Sequence, residues 1–371
     1  MSSIRDPIAG LQSPTGSLIS LYADRPGPGG FAALLTGLLR PVREQAERHD
    51  RDLQMSVRAD AERIQELAED MELGSAPAYA LFASSADGIF IVESLTHSTR
   101  SVSVLGPRPY LRPLRAAPKP LRAGIIVADR ANARTFVSSA DLIEEVGTPM
   151  SADIGKPNYG GFAGYDEQGV RARAEEATTR MWKEAGARLL EVHLEKGFDY
   201  VAIGAHDEVA DEVARSLHPY LEQLHRTSFV ANPANLGSAA LRSELANLDV
   251  IVRRERQDAL AGRVCDTAWG GGNAFLGLAS VLESANVQAI ETLVVAGGFT
   301  RPGVVCNQCG YLSRIGTECP VCGAGMFEID DVVAALMESV IGAGGSVSQI
   351  AVASPLDVHG VGALTRFPVP V

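Results

Sequence analysis

No cysteine precedes Cys265 in this chain of 371 residues. A disulfide framework across the first two thirds is therefore excluded. No apolar run approaches the ~20 residues of a membrane span. The opening Met1-Ser-Ser-Ile-Arg-Asp leads into Pro, Gly and Ser, without the apolar core of a signal peptide. Together these absences predict a cytoplasmic chain with no membrane partner. The seven histidines are scattered, and none makes His-Glu-x-x-His or another ligand spacing. Gly-x-Ser-x-Gly is missing, as are the Lys and Ser/Thr of a phosphate-binding P-loop. Acids are missing from Ser94 to Ala128, a stretch that holds Arg100, Arg108, Arg112, Arg115, Lys119 and Arg122. The chain as a whole carries a net charge of −12, which argues against wrapping a polyanion over its entire surface. The acid-free stretch is the local exception. It reads either as a surface for RNA phosphates or as a charged linker between domains.

What is present is chemically specific in one place. Four of the five cysteines stand in Cys306-Asn-Gln-Cys309-Gly and Cys319-Pro-Val-Cys322-Gly, nine residues apart. Two thiolates two residues apart can grip one metal ion, and a second pair completes a tetrahedral shell. Gly310 and Gly323 follow each pair, where a tight knuckle needs a residue tolerant of positive φ. The motif predicts a structural Zn²⁺ site on Cys306, Cys309, Cys319 and Cys322. Two disulfides, or iron on the same four thiolates, are the other readings. A closed four-thiolate site has no open position for substrate, so it holds structure and does no chemistry. The lone Cys265 has no histidine near it in sequence and reads as a buried thiol.

Composition is ordinary for a globular protein, with 46% hydrophobic and 21% charged residues, and the length allows two or three domains. Strands alternate with helices, which predicts α/β layers. The first segment has a strand near Gly16–Tyr22, one long helical stretch from Phe31 to Met71, and strands at Tyr79–Ala83 and Gly88–Val92. The proline-rich run Gly106–Pro120 reads as a junction. A Gly-rich loop at Lys156–Tyr165 precedes a long helix whose apolar stripe runs Val170, Ala174, Ala177, Met181, Ala185, Leu189 and Val192. A strand at Phe198–Gly204 and a helix at Glu208–Leu224 follow. Asn232–Gly237 reads as the second junction. After it come a charged helix from Ser238 to about Ala261 and a helix at Asn273–Ser284 opened by Trp269-Gly-Gly-Gly-Asn273. The strand Thr292–Ala296, the cysteine pairs and the helix Asp330–Ile341 complete the pattern. These boundaries predict domains at 1–118, 119–234 and 235–371, with the cysteine insert at about 303–327.

The order of these pieces resembles the archaeo-eukaryotic peptide-chain release factor superfamily, in its bacterial branch of Pelota-like and Balon-like proteins. The resemblance rests on Ser17-Leu-Ile-Ser-Leu-Tyr22 and Arg108-Pro-Tyr-Leu-Arg-Pro-Leu114. It also rests on the Gly-rich loop with its arginine-bearing helix, on Val287–Val295, and on the cysteine pairs that archaeal release factors also carry. It implies a three-domain, release-factor-like α/β architecture with a zinc-ribbon insert in the C-terminal domain. It further implies a ribosome-binding translation factor, with rRNA and tRNA sites as its environment and a translational GTPase such as elongation factor Tu as a candidate partner.

The chemical ends of the family pattern are altered. Release factors place Gly-Gly-Gln at the loop tip, and here Gly160-Gly161 is followed by Phe162. A phenyl ring cannot orient a water as an amide does. Gln168 is a displaced counterpart or a solvated loop residue, and Asp166 and Glu167 beside it are poorly suited to RNA. Neither stop-codon motif of the family occurs. The resemblance therefore implies A-site occupancy in hibernation or rescue, without codon reading and more in keeping with a non-enzyme. The alternatives are peptidyl-tRNA ester hydrolysis by the Gly160–Gln168 loop, and a zinc-stabilised protein-interaction scaffold. Gly160, Gly161, Phe162, Arg171, Arg173, Arg108, Arg112 and Arg115 are the candidate RNA-binding residues. Glutamates interleave the arginines of the long helix, so a solvated face with i,i+4 pairs is the competing reading there.

Overall fold

The computed structural model describes residues 8, 10–25, 30–70, 76–96, 98–116, 120–139, 142–153, 167–350 and 353–369. The chain forms two compact units, one of Met1–Pro118 with Gln257–Val371 and one of Lys119–Arg256. The second boundary thus falls inside a helix, at 256/257, where the sequence suggested a junction at Asn232–Gly237.

The N-terminal part of the first unit is a four-stranded antiparallel sheet in the order β3-β2-β1-β4. Its strands are β1 (Leu18–Asp24), β2 (Ala78–Ser84), β3 (Ile89–Leu95) and β4 (Val102–Gly106). Side chains of β1 alternate between faces, as a pleated strand requires. Ile19, Leu21 and Ala23 meet the helices α1 (Phe31–Ala46) and α2 (Arg51–Asp70), while Leu18 and Tyr22 line the other face. The single helix expected over Phe31–Met71 is therefore two. Asp50 accepts the Leu53 N–H at 2.9 Å and caps the second. The break lets Leu35 and Leu39 of one helix and Val57 and Ile64 of the other cover the same sheet. Residues 106–116 of the proline-rich run are also packed. They contain the short helix α3 (Arg112–Ala116), where Pro113 stands in the first turn and removes no intrahelical donor. Leu111 and Leu114 close the second face of the sheet.

The second unit holds β5 (Arg122–Ala128), β6 (Asn132–Ser139), β7 (Leu142–Glu145), β8 (Met150–Ser151), α4 (Glu167–Lys196), β9 (Tyr200–Gly204), α5 (Asp207–Ser216), α6 (Pro219–Glu222) and β10 (His225–Phe229). Its sheet runs β10-β9-β5-β6-β7, with β8 paired to β6 and with β10, β9 and β5 parallel. Ile126, Val201 and Ile203 face Met181, Ala185 and Leu189 of α4. Ile125, Val127 and Ala202 face Leu241, Leu245 and Leu248 of α7 (Ser238–Trp269). The expected helix Glu208–Leu224 divides because Pro219 can open a helix but not sit inside one.

The C-terminal part of the first unit has a sheet ordered β11-β17-β12-β16, from β11 (Ala274–Leu276), β12 (Ile290–Ala296), β16 (Ser346–Ile350) and β17 (Val361–Thr365). Helices α8 (Leu278–Asn286) and α9 (Val332–Gly342) cover one face. Ala261, Val264 and Cys265 of α7 pack with Val294 and Ile350. Burial pushes the Cys265 thiol up, as expected of an inert buried cysteine. Trp269-Gly-Gly-Gly-Asn273 ends α7 and does not open a helix. Gly270 and Gly272 donate back to the carbonyls of Asp266 and Thr267 at 2.9 and 2.8 Å. A helix C-terminus presents carbonyl oxygens, so these glycines are no phosphate cradle. Among the described residues, no helix is long and apolar enough to cross a membrane.

Candidate functional site

The cysteines sit in a three-stranded insert, β13 (Gly303–Cys306), β14 (Leu312–Ser313) and β15 (Met326–Ile329), in the order β14-β13-β15. It interrupts the crossover that joins parallel β12 to β16 through α9. Each cysteine pair makes the same knuckle. Gly310 N–H donates to the Cys306 carbonyl and Gly323 N–H to the Cys319 carbonyl, both at 2.9 Å. Gly310 and Gly323 have φ of 80° and 71°, the left-handed region that glycine enters without strain. The two knuckles bring all four Sγ atoms within 4.8 Å of one another.

Cys306 Sγ lies 3.4 Å from Cys322 Sγ, and Cys309 Sγ 3.5 Å from Cys319 Sγ. Those gaps are far beyond the ~2.05 Å of a disulfide. They approach the roughly 3.8 Å edge of a tetrahedron drawn by four 2.3 Å metal–sulfur bonds. The electrostatics also fit a cation. Burial raises the Cys306 thiol, but the Cys309 and Gln308 N–H groups and the Cys322 thiol outweigh it and bring it down to about 6. At Cys309 the Tyr311 N–H favours the thiolate. Burial and the neighbouring thiols act the other way and push the group up to about 12. Once one sulfur is charged, the next ionises against it, and a divalent cation relieves that repulsion. These four residues can hold one metal ion.

The basic run meets a different fate. Arg112 Nη1 lies 2.8 Å from Asp331 Oδ2, with the two side chains only 8% and 7% exposed. Tyr110 donates its hydroxyl to the same oxygen at 3.1 Å. Asp331 Oδ1 accepts the N–H groups of Val333 and Ala334 and caps α9. Burial, reinforced by the Asp331 charge, pushes the Tyr110 phenol up. Arg115 makes a two-pronged bond to Glu338, with both N–O distances 3.1 Å. Arg112 and Arg115 thus pair with acids on α9, an arrangement that weighs against the RNA-binding expectation for them. Arg108 remains exposed, its guanidinium beside the Gly310 knuckle. A cleft of about 70 Å³ lies between residues 104–110 and the insert, lined by Val305, Gly310, Leu312 and Ile329. Asp331 and Glu338 were missed by sequence reading. The only local signal was the acid directly before the apolar start of α9, an N-cap pattern.

In the second unit, Arg171 and Arg173 lie exposed in the early turns of α4. Arg171 reaches Glu175 at 3.3 Å, and Arg180 reaches Glu176 at 3.5 Å. Arg256 is held by Asp199 at 3.0 Å. Gln168 falls in the first turn of α4. Gly160, Gly161 and Phe162 lie outside the described residues, as does the Gln168 side chain.

Residues 109–248 match bacterial archaeo-eukaryotic release factor family 10. Over that span the chain is similar to the bacterial branch of the archaeo-eukaryotic release factor superfamily. The matched span contains Arg112 and Arg115, the Gly-rich loop and all of α4. A search of curated proteins returns no match. Among solved structures, an archaeal translation termination factor is similar at 15% identity, over 98% of this chain and 96% of that one, with a TM-score of 0.26. Ribosome-bound archaeal Pelota, with ABCE1, is similar at 16% identity over 79% and 78%, with a TM-score of 0.44. S. cerevisiae Dom34, a translation termination-like factor interacting with Hbs1, is similar at 10% identity over 79% and 81%, with a TM-score of 0.36.

Proposed function

We propose that this chain is a member of the archaeo-eukaryotic release factor superfamily and a cytoplasmic, ribosome-associated translation factor that occupies the A site in hibernation or rescue and does not read stop codons. The observation that carries the reading is the family match over residues 109–248, a span in which Phe162 follows Gly160-Gly161 where release factors carry glutamine. The loop glycines, Phe162, Arg171, Arg173 and exposed Arg108 are its proposed RNA-facing residues. A structural Zn²⁺ on Cys306, Cys309, Cys319 and Cys322 holds the insert and supplies no reaction step. Delivery by a translational GTPase, such as elongation factor Tu, belongs to the same proposal.

Co-sedimentation with purified ribosomes is the direct test. Binding that weakens steadily with salt is expected, because neutralising phosphates releases counterions. Absence from the ribosomal pellet at both low and moderate salt sinks the reading. Peptide release from peptidyl-tRNA on large subunits separates the enzymatic alternative. That alternative requires release by the wild type and its loss in Gln168→Ala.

A further inference from the structure

The insert touches more than its own sheet. Phe327 on β15 pairs in register with Val305 on β13, and its neighbour Met326 pairs with Cys306. The Phe327 ring lies against Gly16, in the loop before β1. A Cβ added there would stand 2.5 Å from Phe327 Cε2. Gly16 has φ of 77°, so a bulkier residue would be strained as well as crowded. On its other side Phe327 stacks with His49, between α1 and α2, at a centroid distance of 5.3 Å and an angle of 2°. At the first knuckle, a Cβ on Gly310 would lie 3.5 Å from Arg108 Nη2. Three points of the N-terminal part, far apart in sequence, thus converge on the cysteine insert.

We infer that the four-cysteine centre is a metal-dependent latch, holding the N-terminal sheet against the C-terminal part of the same unit through Phe327, Gly16 and His49. This rests on the structural-metal reading above. The insert's strands are two to four residues long, too short to keep their register without a cross-link. Metal on Cys306 fixes β13, β13 fixes β15, and β15 places Phe327. The Arg112–Asp331 pair needs no metal, so metal loss opens this corner while that pair stays closed.

The test uses the full chain, with metal content measured by elemental analysis, and reads amide hydrogen exchange before and after chelation. Peptides containing Gly16 and His49 should exchange faster in the stripped protein, by roughly fivefold or more. Peptides from β9 should not change. Phe327→Ala should reproduce the increase with its metal still bound. His49→Ala, a milder change, should bind the metal more weakly in equilibrium competition with a chelator, because coupling between docking and binding is reciprocal. If purified protein holds no metal, the latch and the zinc reading fall together. If metal is bound but its removal leaves the Gly16 and His49 peptides unchanged, or if His49→Ala holds metal with wild-type affinity, the latch alone is overturned.

Discussion

Two pairs of arginines, Arg112 with Arg115 and Arg171 with Arg173, look alike in the sequence and end in opposite circumstances. Each pair stands near glycine or proline, and each was a candidate for RNA. Arg112 is 8% exposed on its side chain and Arg171 is 83% exposed. The difference is the partner. Arg112 meets a carboxylate that already caps a helix and accepts from a tyrosine, so its charge is neutralised within a buried network. Among the described residues, Arg171 pairs with Glu175 one helical turn away, in solvent, where such pairs contribute little. A cation is available to phosphate when no distant acid has claimed it, and distance along the chain conceals that acid.

The contrast breaks most visibly at Arg112. Arg112→Ala leaves the Asp331 carboxylate buried beside Tyr110 without its counter-charge, a loss of about 3–5 kcal/mol for a buried pair. Hydrogen exchange of α9 should report that loss directly, with protection falling across Val332–Gly342. Unchanged protection would mean that the pair does not hold the two parts together. Arg115→Ala should act in the same place and more weakly, by about 1–2 kcal/mol, because the Arg115 and Glu338 side chains are 21% and 26% exposed. Salt should diminish the Arg115 effect and spare that of Arg112, since screening reaches exposed charges first.

Local patterns were legible in the sequence and long-range pairings were not. The four-cysteine cluster could be read because two residues separate the cysteines of each pair and each knuckle carries its own glycine. The α/β layers could be read because periodicity is local too. Arg112 and Asp331 are separated by 219 residues, and nothing in either neighbourhood names the other. The glycines after Trp269 were misread because glycine serves at both helix ends. Which end it serves is settled by the direction of the hydrogen bonds from Gly270 and Gly272. The helix over Phe31–Met71 was read as continuous because its polar break at Asp50 resembles ordinary surface.

A smaller effect comes from Asp60 on α2, which is 1% exposed. Burial raises its carboxyl above the ordinary value, against bonds from Ser85 and Ser56 that favour the charge, and Oδ1 has no partner. A carboxyl whose folded value is raised binds its proton more tightly in the folded state. Its contribution is present below the ordinary carboxylate range and is lost as pH rises through the raised value. Asp60→Asn should therefore flatten the pH dependence of N-terminal stability in that acidic window, measured by urea unfolding across pH. A wild-type slope retained in the variant would assign it to another group.

The smallest effect on stability and the sharpest on function are expected together at Arg171 and Arg173. Both are exposed, so replacing them with alanine should leave unfolding unchanged. If they meet phosphate on the ribosome, the double variant should bind more weakly at low salt and show a shallower decline with salt. The logarithmic slope should fall by roughly 0.7–0.9 for each phosphate that is no longer neutralised. Arg112→Ala should behave in the opposite way, losing local protection without changing that slope, because a buried guanidinium releases no counterion. A double variant at Arg171 and Arg173 that binds ribosomes like wild type would return those residues to the solvated-face reading. The burden of RNA recognition would then pass to Arg108 and the loop around Phe162.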